Sequence, residues 1–175
     1  MNRPAILALV LLAACAPRRE RPPQPVIPVD AIINRLDELE DARRLEGLFM
    51  SEAASHASPE VRERLAVALG RIMKPESFPL FVVIQIHSKP AEWKSLVFAA
   101  GQMGLAPDGL SPENTRDFLK LVTNTLKEPN EALRALSVEA IGKLALDQAP
   151  GLAAPLLKDP SPLVRRQAAT ACFRW

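Results

Sequence analysis

Few side chains in this sequence are spaced for chemistry. The candidates for metal binding or nucleophilic work are two histidines, His56 and His87, and two cysteines, Cys15 and Cys172. A structural zinc site needs four thiolate, imidazole or carboxylate ligands brought together, usually as close pairs. The histidines are far apart and no such pairing accompanies them, so no metal site is expected. Serines are plentiful, but neither a Gly-x-Ser-x-Gly elbow nor a glycine-rich phosphate loop occurs. Cys172 falls on an apolar helix position, where a thiol is inert packing. The run Asp37-Glu38-Glu40-Asp41 beside Arg43-Arg44 reads as a solvated helix face with i,i+4 pairs. Trp93 is the one aromatic that invites a ligand-contact reading, with core packing as the commoner fate. No catalytic residue, no cofactor and no enzyme activity of the chain itself are expected.

Cys15 stands apart because of what precedes it. Arg3 gives a positive start, and Ala5 to Leu12 is an uncharged apolar run. The run is too short to span a bilayer and suits a signal-peptide core. It ends in Leu12-Ala13-Ala14-Cys15, which resembles the lipobox of bacterial lipoproteins. The resemblance implies that the Cys15 thiol takes a diacylglycerol, with palmitate-type acyl chains, and becomes the first residue after cleavage. Acyl chains partition into a bilayer at about 0.8 kcal/mol per buried CH₂, so they hold a protein at a membrane. Ala16 follows the cysteine where an Asp would favour the inner membrane, so the resemblance points to the outer one.

Residues 16–29 then read APRRERPPQPVIPV. Five prolines in this stretch impose extended backbone and remove amide donors, as in a stiff spacer. Arg18, Arg19 and Arg21 are diluted by Glu20, and a solvated tether is the expectation.

The rest of the chain must be helical. Ala and Leu dominate, Tyr is absent and aromatics make up only 5%, so strand-forming residues are sparse. Many of the 17 prolines sit where helices would begin. Basic and acidic residues number 22 and 20 and are interspersed, which leaves no concentrated basic face for nucleic acid.

Four segments align: SPEVRERLAVALGRI from Ser58, KPAEWKSLVFAAGQM from Lys89, NEALRALSVEAIGKL from Asn130 and SPLVRRQAATACFRW from Ser161. One column holds Arg62, Trp93, Arg134 and Arg165. Another holds Gly70, Gly101 and Gly142, with Phe173 in the fourth copy. A third holds Ala68, Ala99, Ala140 and Ala171. Spacing is 31 residues from Gly70 to Gly101 but 41 from Gly101 to Gly142. The excess falls in a loop at Leu105 to Gly109, before a longer helix that starts at Ser111-Pro112 and reaches about Lys127. Each copy begins with a capping or proline residue and continues as an amphipathic helix. A second apolar stretch follows: Phe78 to Ile86, Phe118 to Leu126, Leu152 to Leu157. Such helical hairpins bury their apolar faces only by stacking on one another.

Residues 30–56 precede the clear copies. They read as a degenerate capping hairpin, with Asp30 capping a helix to about Glu40 and a second helix from Ala42 to Ala54. Leu36, Leu39, Leu45, Leu48 and Phe49 are expected to face inward. The repeat domain therefore spans 30–175.

Val61-Arg62 with Ala68-Leu69-Gly70, Leu133-Arg134 with Ala140-Ile141-Gly142, and Val164-Arg165 with Ala168-Ala169 resemble bacterial HEAT repeats. The resemblance covers about residues 58–175. It implies an all-α, α-α superhelix, a HEAT-like solenoid of stacked hairpins with armadillo-like helical character. Its function would be binding of a protein or peptide in the cell envelope, with contacts on the second helices. The column arginines are expected to link neighbouring repeats, and the ladder to break at Trp93. Some bacterial lipoproteins with similar arrays also carry a cyclophilin-type prolyl isomerase domain. In that alternative these repeats hold a client for a catalytic domain outside the chain. The fourth copy stops at Phe173-Arg174-Trp175 within its first helix, and the expectation is that the array continues beyond it.

Overall fold

The computed structural model describes residues 27–107, 109–144 and 146–174. Among them are nine α-helices and no strand. These are α1 (Val29–Asp41), α2 (Gly47–Ala54), α3 (Pro59–Ile72), α4 (Phe78–His87), α5 (Lys94–Met103), α6 (Pro112–Thr125), α7 (Glu131–Leu144), α8 (Ala149–Ala153) and α9 (Pro162–Phe173). Short 3₁₀ turns occupy Pro75–Ser77, Pro90–Glu92 and Ala154–Lys158. The expected signal segment 1–15 with Cys15, residues 16–26 of the expected tether, and Trp175 lie outside the described residues.

Local chemistry sets the helix starts. Proline stands in the first turn of α3, α4, α6, α8 and α9, where its missing N–H costs no helical bond. Ser111 Oγ accepts the Asn114 N–H at 3.1 Å, and Asn130 Oδ1 accepts those of Ala132 and Leu133. Ser58 and Ser161 occupy the same position but make no side-chain cap bond. The 3₁₀ turn at Pro90–Glu92 replaces the first turn of the second copy, so α5 is shorter than its counterparts α3 and α7.

The odd-numbered helices stack side by side: α1 on α3, α3 on α5, α5 on α7, α7 on α9. Helices α2, α4, α6 and α8 form a second layer: α2 packs on α3, α4 on α3 and α5, α6 on α5 and α7, and α8 on α7 and α9. The result is an all-α superhelix of stacked helical hairpins. Its core is a seam between the layers, built from residues such as Leu36, Leu65, Leu69, Leu96, Val97, Val122 and Ile141, all fully buried. A smaller cluster of Val138, Val164, Ala168 and Ala171 seats α9.

The glycine column fixes how closely the odd helices approach. A Cβ on Gly70 would lie 2.7 Å from the Ala99 Cα, and one on Gly101 would lie 3.0 Å from the Ala140 Cα. One on Gly142 would lie 3.1 Å from the Ala171 Cβ. Each glycine therefore receives the alanine of the next copy. Two sequence columns, two residues apart, are the two sides of one repeating contact.

The N-terminal hairpin departs from expectation. Pro28, and not Asp30, precedes the first helix, and Asp30 lies in its first turn. Helix α1 begins at Val29, inside the expected tether. It ends with Arg43 in the left-handed region at φ 48°, and Arg44 N–H reaches back to the Leu39 carbonyl. That reversal delays α2 to Gly47. Leu36 and Leu39 are buried and Leu45 and Phe49 half-buried, but Leu48 is 80% exposed, contrary to the inward assignment.

The acidic run of α1 is exposed at Glu38 and Asp41, but Glu40 is covered and the run makes no i,i+4 pairs. Asp37 and Glu40 both meet Arg64 of α3, and Glu40 also takes Arg71 at 2.7 Å. Glu38 pairs locally with Arg35. The hydrogen bonds of Arg71 and Arg64 hold the Glu40 carboxyl below its ordinary value, although burial works to raise it.

Candidate functional site

The column arginines share one local geometry. Arg62 Nη1 donates to the carbonyls of His56 and Ala57, at 2.5 and 3.0 Å. Arg134 Nη1 donates to Glu128 and Pro129, both at 2.9 Å. Arg165 Nη1 donates to Asp159 and Pro160, both at 2.9 Å. Each guanidinium thus ties down the loop that leads into its own helix. Backbone carbonyls in a turn lack helical partners, and a charged donor satisfies two of them at once.

The remaining guanidinium nitrogens reach forward. Arg62 Nη2 meets Glu92 at 2.8 Å, and Arg134 takes both Asp159 oxygens, at 3.1 and 3.0 Å. These two pairs join consecutive copies. The Arg62 hydrogen bond holds the Glu92 carboxyl below its ordinary value, and Arg134 does the same for Asp159. Asp159 also accepts the Ser161 N–H at 2.8 Å, so one carboxylate shapes the entry to α9 and binds the previous copy.

Trp93 occupies the arginine column without breaking all of the pattern. Its Nε1–H donates to the Ser88 carbonyl at 3.3 Å, five residues back. Arg62, Arg134 and Arg165 bond the carbonyl at that same offset. The indole therefore keeps one loop tie and omits the forward ion pair. It is half-buried and packs against the main core.

Helix positions facing the next copy are filled differently in α9. Ala66, Val97 and Val138 are fully buried, whereas their counterpart Ala169 is exposed. Phe173, at the glycine position, is 93% exposed. A helix stacked on α9 as α9 stacks on α7 would meet that ring. Cys172 is half-buried and makes no disulfide among the described residues.

The second layer carries an apolar recess. Helix α4, FPLFVVIQIH, has apolar residues on every side, the pattern of a helix covered all round. Yet Val82 is 40% and Ile86 74% exposed. Helix α2 lies against α4, whereas α6 stands off from it. The gap is bridged by Phe118, edge-on to Phe78 and Phe81 with centroids 5.1 and 5.3 Å away. A cleft of about 270 Å³ opens there over Phe78, Phe81, Phe118 and Leu121. Gln85, Asp117, Lys120 and Asn124 stand at its mouth, and Asp117 and Lys120 pair at 3.0 Å. The extra residues between Gly101 and α6 place this stand-off at the one irregular spacing of the array.

The described residues gather no group of three metal-ligating side chains. His56 Nδ1 accepts the Ser58 N–H at 3.1 Å, a turn-forming role, and His87 is exposed at the end of α4. No helix among the described residues is long and apolar enough to cross a membrane. No protein-family model matches the chain, and no curated protein matches its sequence.

Proposed function

We propose that the chain is a membrane-anchored lipoprotein of the HEAT-repeat kind, a protein-binding scaffold of the bacterial cell envelope. The observation that carries the binding role is the single-file stack. Helical hairpins that pack chiefly on their neighbours in sequence leave one surface of every copy available along the whole array. Leu48, Val82 and Ile86 of the second layer are exposed on that surface, where large apolar residues have no stabilising role in the chain itself.

The anchor rests on Leu12-Ala13-Ala14-Cys15 behind its apolar run. Acylated Cys15 would fix the chain to the outer membrane, facing the periplasm. The proline-rich residues 16–28 would hold the repeats clear of the headgroups.

Expressing the chain in a bacterial host and recovering it from solubilised membranes tests both parts. A defined protein partner that co-purifies, and is lost when the array is removed, supports the scaffold. Recovery of the chain alone under crosslinking conditions contradicts it.

A further inference from the structure

We propose that the cleft between α4 and α6 is a docking site for an uncharged apolar stretch of polypeptide, which seats one bulky side chain on the three phenylalanines. The inference rests on the scaffold reading and assigns it a place.

Three observations select this occupant. The first is size. Pockets that take drug-sized ligands run to roughly 300–1,000 Å³, and this recess of about 270 Å³ suits a single Leu-, Met- or Phe-sized group. The second is charge. The two ionic groups at the mouth, Asp117 and Lys120, neutralise each other, so the entrance attracts neither an anion nor a cation. The third is hydrogen bonding. Gln85 and Asn124 both line the cleft, and no hydrogen bond joins either side chain to another described side chain. Each primary amide offers a donor and an acceptor, as a peptide group requires. A lipid tail would use neither amide. Val82 and Ile86, one turn apart beside the cleft, extend the apolar surface to the neighbouring side chain of the same peptide.

The cleft lies beside the irregular spacing. Helix α2 packs on α4, whereas α6, which follows the longer 41-residue interval, stands off from α4, and phenylalanine rings bridge the gap. A packing irregularity thus becomes a recess lined by rigid aromatic groups.

The test is selection of a random dodecamer phage library on the full chain in detergent, followed by fluorescence-anisotropy titration of the enriched peptides. Expected sequences share one large apolar residue in an uncharged context. Affinity should fall at least tenfold with Ile86→Asp or Val82→Asp, severalfold with Gln85→Ala and Asn124→Ala together, and not at all with Glu63→Ala, an exposed residue of α3. Ile86 and Val82 are exposed enough that circular dichroism should report an unchanged fold. Enriched peptides that bind both aspartate variants at full strength would overturn the site while leaving the scaffold reading intact. So would a charged consensus, or a selection that enriches nothing. Sedimentation of the wild type and Ile86→Asp covers the remaining occupant. A dimer that the substitution dissolves would assign the cleft to a second copy and end the peptide proposal. The scaffold reading itself falls only if membrane co-purification yields no partner.

Discussion

Gly70 and Ala99 stand so close that the α3 and α5 backbones are separated by less than a methyl group: a Cβ on the glycine would lie 2.7 Å from the alanine Cα and 2.9 Å from its Cβ. The clash is with backbone, which no rotamer change relieves. Gly70→Ala should therefore destabilise the chain, with an overpacking cost of about 1–3 kcal/mol that outweighs the roughly 1 kcal/mol of helix propensity gained. Gly142→Ala, facing Ala171 at 3.1–3.2 Å, should cost less. Gly151→Ala, with nothing within 4 Å, should stabilise by about 0.4–1 kcal/mol. Urea denaturation of the three variants gives the order; equal effects at all three would deny the stacking contact.

The forward ion pairs predict another ordering. Arg134→Ala leaves two loop carbonyls and the Asp159 carboxylate without their donor, and should cost about 1–2 kcal/mol. Arg165→Ala, which loses only the two carbonyl bonds, should cost less. Trp93→Phe removes one hydrogen bond and keeps the apolar contact, for about 1 kcal/mol. Thermal melts of the three distinguish a loop tie from a mere surface charge.

Acid should loosen the array at these same joints. Asp159 and Glu92 have folded-state pKa values below their ordinary ones, so the unfolded chain binds protons more readily. Their contribution is complete above the unfolded carboxyl values of about 4 and is lost as pH falls through the lowered folded values. Glu40 acts in the same direction. Urea midpoints measured from pH 7 to pH 3 should drop more for the wild type than for Asp159→Asn, which lacks the titrating group at one joint.

Exposure separates the leucines of the N-terminal hairpin. Leu48→Lys should change stability by less than about 0.5 kcal/mol, because the side chain is 80% exposed. Leu39→Ala, fully buried against α3, should cost about 2–5 kcal/mol. Comparable losses at both positions would mean that α2 packs as the periodicity alone suggests.

Repeat columns were legible because close stacking tolerates few residue types. Only glycine fits opposite Ala99, and only a long charged fork reaches two carbonyls and a carboxylate, so Gly70 and Arg62 mark their copies in any reading of the chain. A helix running from Ala42 turns Leu48 inward, but the left-handed turn at Arg43 restarts the helix at Gly47 and turns it outward. A non-glycine residue there gives no sign of the reversal. Asp37 and Glu40 looked solvated because their partners, Arg64 and Arg71, are a whole copy away in sequence. The tie from Trp93 to Ser88 was hidden by a change of residue type that conserves one donor. As for the cleft, the 41-residue spacing was visible, but its effect on α4 and α6 depends on how phenylalanine rings fill the resulting gap.

The anchor at Cys15 is the claim on which placement of the whole array in the envelope depends. Growing bacteria that express the chain with an alkyne-bearing palmitate analogue, and comparing wild type with Cys15→Ser, tests it directly. The account predicts a labelled wild-type protein in the membrane fraction and an unlabelled variant released from it. Label that persists on Cys15→Ser, or a wild-type chain that takes none, would contradict it.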